Sequence, residues 1–174
     1  MDTICVKPLS IKAIRDFTAT IREACSLDKS LYFPIVQFIE WVVCDPDSGV
    51  DLEIVPVNEM SNTYGITNTG RNNLRIREDV YVRAIENDNP RDRFTLCHEV
   101  GHYFLHQPER VEFARGNNIP KYRNPEWQAN VFAAELMAPL NLIKNMPAQE
   151  IARQCGMSQQ AALIRFDECR KYGV

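Results

Sequence analysis

The sequence has little histidine, no long apolar run, no surplus of positive charge and no paired-cysteine spacing, and each shortage excludes something. No stretch approaches the roughly 18–20 apolar residues needed to cross a bilayer. The start, Met1-Asp2-Thr3-Ile4-Cys5-Val6-Lys7-Pro8, lacks the basic opening and apolar centre of an export signal. The six cysteines (Cys5, Cys25, Cys44, Cys97, Cys155, Cys169) show no C-x-x-C spacing. In a chain without an export signal they are expected to be reduced thiols, which places the protein in the cytoplasm. A formal net charge of −3 leaves no electrostatic footprint for nucleic acid, so direct DNA or RNA binding is not expected. At 174 residues and 45% hydrophobic content, the chain can build one domain with a proper core, or a domain plus a small appendage.

Histidine occurs only three times, at His98, His102 and His106, and all three fall in one predicted helix. Two of them belong to H-E-x-x-H, read as His98, Glu99 and His102. Positions i and i+4 of a helix share a face one turn apart, so both imidazoles can reach one metal ion at about 2.0–2.1 Å. Glu99 overhangs the same face, where a carboxylate can take a proton from water. The flanks support a real helix over about Pro90–His106. Asn89-Pro90 is an N-cap and N1 pair, Asp92 adds a carboxylate to the first turn, and Gln107-Pro108 stops the run. His106 lies a further turn from the metal and is assigned to capping or packing. Cys97 points about 100° away around the helix and is read as a small packing residue.

Along the rest of the chain, Ser10 caps a helix with apolar residues at Ile11, Ile14, Phe17, Ile21 and Ala24. A second helix near Pro34–Val43 is apolar on most faces and is expected to be buried. After the turn cluster Asp45–Gly49 the period changes to that of strands. Leu52–Val57, Thr63–Thr67 and the set Leu74, Ile76, Val80 and Val82 predict an antiparallel or mixed sheet of three or four strands, whose edge could pair with an extended peptide. The Gln107–Arg123 connection is expected to be a binding loop or lid. Asn124-Pro125 repeats the cap device and opens a helix that Pro139 closes. The fold class is therefore α+β, mainly helical, with the small sheet preceding the H-E-x-x-H helix. Residues 1–140 are expected to form the main domain and 141–174 a helical extension. In that extension, helix, Gly156 turn and helix have a helix-turn-helix outline, with Gln159, Gln160 and Arg165 on the second helix. Packing or partner docking is the preferred role.

Two histidines leave a catalytic zinc one protein ligand short. Glu126 and Glu135 compete for that place from opposite sides of one helix, and E-x-x-x-N favours Glu126. Asn130 would then share its face and could hydrogen-bond a ligand histidine.

The blocks Arg93-Phe94-Thr95-Leu96-Cys97-His98-Glu99-Val100-Gly101-His102 and Glu126-Trp127-Gln128-Ala129-Asn130-Val131-Phe132-Ala133-Ala134-Glu135-Leu136-Met137-Ala138-Pro139 resemble the ImmA/IrrE family of zinc metallo-endopeptidases, over about Gly65 to Pro139. Cys97 stands where alanine is usual, and Ala138 is inserted before Pro139. The resemblance implies a zincin-like fold around Zn2+, with His98, His102 and Glu126 as metal ligands and Glu99 as catalytic base. It also implies a protein substrate: a helix-turn-helix repressor or antitoxin of a mobile element such as a prophage, or of a stress regulon.

The expected activity is hydrolysis of a peptide bond. Tyr64, Tyr103 and Arg123 are candidate oxyanion donors. The alternative is a zinc-containing protein that binds and neutralises a repressor or antitoxin without turnover, and a DNA-binding regulator ranks behind both. The presence of Glu99 favours the enzyme, because a structural zinc site has no use for a base beside its ligand.

Overall fold

The computed structural model describes residues 2–115 and 119–172. In chain order the elements are β1 (Asp2–Val6), α1 (Ile11–Ala24), α2 (Ile35–Phe38), β2 (Asp51–Val55), β3 (Gly65–Asn68), β4 (Asn73–Arg77), α3 (Glu78–Glu86), α4 (Pro90–Leu105), β5 (Val111–Arg115), α5 (Pro125–Met137), α6 (Leu140–Ile143), α7 (Ala148–Cys155) and α8 (Gln159–Tyr172). The predicted class, α+β and mainly helical, is the observed one.

Local chemistry explains the helix starts. Ser10 Oγ accepts from the Ala13 amide at 3.1 Å, which satisfies one of the orphan donors of α1. Asn89 Oδ1 accepts from the Arg91 and Asp92 amides at 3.1 and 3.2 Å, and Asn124 Oδ1 from the Trp127 amide at 2.9 Å. Pro90 and Pro125 follow these two asparagines, where a missing N–H costs nothing. Gly156 ends α7 in the left-handed conformation, φ 64°, as its position after the last apolar residue predicted.

The sheet comprises β2, β4 and β3 in that order. β2 and β4 are parallel, with Leu52 opposite Leu74 and Ile54 opposite Ile76. β3 runs antiparallel to β4, with Gly65 opposite Ile76 and Thr67 opposite Leu74. Among the described residues β3 is therefore an edge, and it lies against α4.

Three parts of the chain differ from the sequence expectation. The third strand ends at Arg77, and Val80 and Val82 belong to α3. Glu78 and Asp79 stand in the first turn of α3, where the helix dipole favours carboxylates. Val80 and Ala84, four residues apart, are buried while Val82 is exposed, which is a helical period. Secondly, Gln107–Arg123 contains β5, which pairs antiparallel with β1 in the register Asp2 to Arg115 and Val6 to Val111. Short 3₁₀ turns at Pro108–Arg110 and Lys121–Arg123 flank it. Neither β1 nor β5 was expected, because each is five residues long and gains its order from the other. Residues 116–118 of the predicted lid lie outside the described residues. Thirdly, the predicted second helix is only partly buried. It widens after Phe38 into a π-helical turn, Ile39–Val43, which hides Ile39 and Val43 but leaves Trp41 72% and Val42 50% exposed.

The core lies between the helices and the inner face of the sheet. α4 and α5 pack closely because Gly101 has no side chain. A Cβ there would stand 3.0 Å from Cδ1 of Phe132. Phe104 and Phe132 meet at a ring separation of 6.2 Å beside Phe17 of α1. Ile151, Cys155, Ala162 and Cys169 carry α7 and α8 into the same hydrophobic cluster. Buried arginines close the gaps between elements. Arg22 donates to the Leu136 carbonyl at 2.6 Å, Arg93 to the Phe33 carbonyl at 3.0 Å, and Arg165 to the Ala138 carbonyl at 2.7 Å. No helix among the described residues is long and apolar enough to cross a membrane.

Candidate metal centre

α4 is two-faced. Leu96, Cys97 and Val100 are fully buried on its core side, and His98 and His102 project from the other. Burial pushes the Cys97 thiol up to about 12, so it packs as a small neutral hydrophobe, as expected. Across the Gly101 contact, the first turn of α5 brings Glu126 over the two imidazoles.

His98 Nε2 and His102 Nε2 stand 2.9 Å apart. Glu126 Oε2 is 3.2 Å from His98 Nε2, and its Oε1 is 3.3 Å from His102 Nε2. Four ligand atoms at the Zn–N and Zn–O distance of ~2.0–2.1 Å form a tetrahedron with edges of about 3.3 Å. The observed separations match one face of that figure. All three side chains offer their donor atoms within 4.8 Å of one another. His98 Nδ1 lies 3.2 Å from Asn130 Oδ1, an acceptor that fixes the ring proton on Nδ1 and leaves a lone pair on Nε2. Two imidazole nitrogens and a carboxylate thus converge, and this donor set fits a divalent cation with nitrogen and oxygen preference.

Glu99 sits beside this group and is only 8% exposed. The Thr67 hydroxyl of β3 shares its one hydrogen between the Glu99 backbone carbonyl at 2.9 Å and Glu99 Oε2 at 2.8 Å. Gly65 of the same strand presses on its stem, since a Cβ at position 65 would lie 2.6 Å from Glu99 Cγ. Burial raises the Glu99 carboxyl above the ordinary range, while the Thr67 hydrogen bond opposes that shift. Burial likewise lowers His102 and brings His106 down to about 4, so both rings are neutral near pH 7.

A cleft of about 350 Å³ opens over the group, lined by Asn62, Thr63, Tyr64, Gly65, His98 and Glu99 among others. Of the three oxyanion candidates, Tyr64 lines this cleft, with the Arg77 guanidinium 4.5 Å from its ring centroid. Tyr103 packs its ring on Phe104 instead, and Arg123 is engaged by Glu112.

His106 occupies the C-cap of α4, and its Nδ1 is 2.9 Å from His102 Nδ1. Glu135, the rival to Glu126, lies on the opposite side of α5, where it is 1% exposed and bonded to Arg15 and Arg165. It is nowhere near the imidazoles. Arg165 is 3% exposed and cannot read a DNA groove from that position.

The sequence did not point to Gly65, Thr67 or Gln128. The last, fully buried, stands 3.2 Å from His106 Nε2 through its Oε1. Its amide stands between Glu126 and Asn130 in the polar first turns of α5, where nothing in the pattern marks it as buried.

Comparison with known families shows that the model of Peptidase M78, described as the IrrE N-terminal-like domain, matches residues 47–167. That span reaches from the turn before β2 into α8 and includes the whole of the candidate centre. Searches of curated proteins and of solved structures returned no match.

Proposed function

The chain belongs to the Peptidase M78 family, and from that premise we propose that it is a zinc-dependent endopeptidase acting on a protein partner in the cytoplasm. His98, His102 and Glu126 hold the metal, and Glu99 is the base. The partner, by the family resemblance, is a helix-turn-helix repressor or antitoxin. The observation that carries this reading is Glu99. It is a buried carboxylate for which no cationic side chain among the described residues forms an ion pair, held by Thr67 at the edge of the three-ligand cluster. Burial of an unpaired carboxylate is costly. A position beside the metal is what the cost provides.

A bound Zn2+ supplies Lewis acidity to a peptide carbonyl and acidifies water. The protein's own groups do the remainder. The Thr67 hydroxyl occupies Glu99 Oε2 and leaves Oε1 to accept a proton from water as its oxygen adds to the scissile carbonyl carbon. Glu99 then returns that proton to the leaving nitrogen as the C–N bond breaks. Asn130 and His106 orient the two imidazoles. Tyr64, which lines the cleft, is the phenol that would donate to the developing oxyanion. The free edge of β3 borders the same cleft and offers backbone groups to an extended substrate strand.

Glu99→Gln keeps size and hydrogen bonding but cannot take up a proton. It is expected to retain Zn2+ and partner binding while cleavage falls by about 10²–10⁴-fold, the contribution of a positioned base. The assay is fragmentation of the partner on a gel by wild type, Glu99→Gln and chelator-treated protein. Wild type that carries zinc, binds its partner and never cuts it under any inducing condition overturns the enzyme in favour of a binding protein.

A further inference from the structure

Gln128, His106 and His102 form a hydrogen-bonded chain in which each group dictates the polarity of the next. The Gln128 side-chain nitrogen donates to two backbone carbonyls, Lys7 O at 3.0 Å and Tyr122 O at 2.7 Å. Carbonyls only accept, so the amide has one orientation, with Oε1 turned to His106 Nε2 at 3.2 Å. An amide oxygen also only accepts, so His106 Nε2 carries a hydrogen. His106 is buried, and among the described residues its ring bonds Gln128 and His102. A neutral ring in that place presents a lone pair at Nδ1. The neighbouring atom, His102 Nδ1 at 2.9 Å, must then be the donor. With its proton on Nδ1, His102 has a lone pair at Nε2, the atom that faces His98 Nε2 and Glu126.

We propose that His106 and Gln128 are positioning residues that lock His102 in the Nδ1–H tautomer and so present its Nε2 lone pair to the metal before the metal arrives. The inference rests on the metal-centre reading above and adds a device to it. The reference for proton position is the backbone: Lys7, just after β1, and Tyr122, in the turn before α5, set the Gln128 amide. Two imidazoles then carry that setting inward. Fixing a ligand histidine's second nitrogen orients the ring and raises its basicity. Here the acceptor is a second histidine rather than the usual carboxylate, so no negative charge is added behind the ligand.

Three variants and one spectroscopic measurement test this. Asparagine places its amide oxygen where Nδ1 of histidine stood, and glutamine places its amide near Nε2. His106→Asn therefore keeps an acceptor for His102 Nδ1–H, whereas His106→Gln and His106→Phe remove it while still filling the space. Affinity for Zn2+ alone, measured by competition with a chromophoric chelator, is expected to fall about 10–100-fold in His106→Gln and His106→Phe. His106→Asn should stay within a few-fold of wild type. A merely structural role would rank the three by packing and would favour no acceptor. Independently, the imidazole ¹⁵N shifts of metal-free wild type should show His102 protonated at Nδ1 and His106 at Nε2. That measurement stands even if a variant fails to fold. His102 protonated at Nε2 in the metal-free protein, or equal zinc affinity in the folded Asn, Gln and Phe variants, overturns the proposal. Wild type that binds no Zn2+ overturns the metal centre itself, and the two failures are thereby distinct.

Discussion

Gly65 shows how closely the strand and the motif helix are fitted at the scale of single residues. The 2.6 Å approach that a Cβ would make to Glu99 Cγ is shorter than any real contact. Glu99 cannot yield easily, because Thr67 holds its carboxylate and the surrounding core leaves it little exposed. Gly65→Ala is therefore expected to shift the carboxylate while leaving His98, His102 and Glu126 in place. Zinc content should match wild type, and cleavage should drop about 10²-fold, the typical result of a misplacement near 1 Å. Parallel elemental analysis and rate measurement check this, and an unchanged rate would show that the base tolerates displacement. The pair His98 and His102 was legible in the sequence because four residues of helix set their geometry. Gly65 and Thr67 were not, because Thr67 meets Glu99 across 32 residues and only the register of β3 against β4 brings it there. The spacing of His106 assigns it to capping or packing, and it does occupy the C-cap. Its contact with His102 depends on ring orientation, which spacing does not encode.

At the scale of elements, α5 carries two carboxylates with opposite duties. Glu126, in the first turn, faces the imidazoles and is 66% exposed in its side chain. Glu135 is buried between Arg15 of α1 and Arg165 of α8. Glu126→Ala should remove most bound zinc and leave the fold intact. Glu135→Ala should keep zinc but strand buried guanidinium charge, at a cost of about 3–5 kcal/mol. Metal content and urea melts of the two variants separate these outcomes, and equal metal loss would undo the assignment. The helix and its two asparagine caps were readable because capping is a local matter of hydrogen bonding. The choice between the glutamates could be narrowed from the pattern, since 100° steps place them on opposite faces. The errors lay where local preference is weak. Val80 and Val82 have strand propensity, but the carboxylates Glu78 and Asp79 at a helix start, with Val80 and Ala84 turned inward, decide for α3. β1 and β5 are order that each strand lends the other across more than 100 residues, beyond the reach of any window of sequence.

At the scale of the molecule, the segments outside the matched span still hold the centre together. Residues 1–46 contribute α1, which packs on α5, and the Lys7 carbonyl that orients Gln128. The C-terminal helices looked from sequence like a helix-turn-helix, and their outline is indeed helix, glycine turn, helix. What the outline could not reveal is the direction of Arg165. Its guanidinium turns inward, donating to the Ala138 carbonyl at 3.1 and 2.7 Å and pairing with Glu135 and Glu168. Arg165→Ala is thus expected to act on stability, by about 3–5 kcal/mol through the stranded Glu135 carboxylate, and not on any affinity for duplex DNA. Because a buried pair replaced as a unit by apolar side chains leaves no charge unpartnered within it, Glu135→Leu combined with Arg165→Met should cost far less than the two single substitutions summed. A double-mutant cycle in urea measures that coupling. Additive losses would mean that the contact joins α5 to α8 only in appearance. A salt-sensitive DNA affinity that disappears with Arg165 would instead restore the helix pair as a reader of nucleic acid. The inward side chain makes the first result the expected one: the guanidinium that a recognition helix would present to a groove is here spent on holding α8 against the helix that carries Glu126.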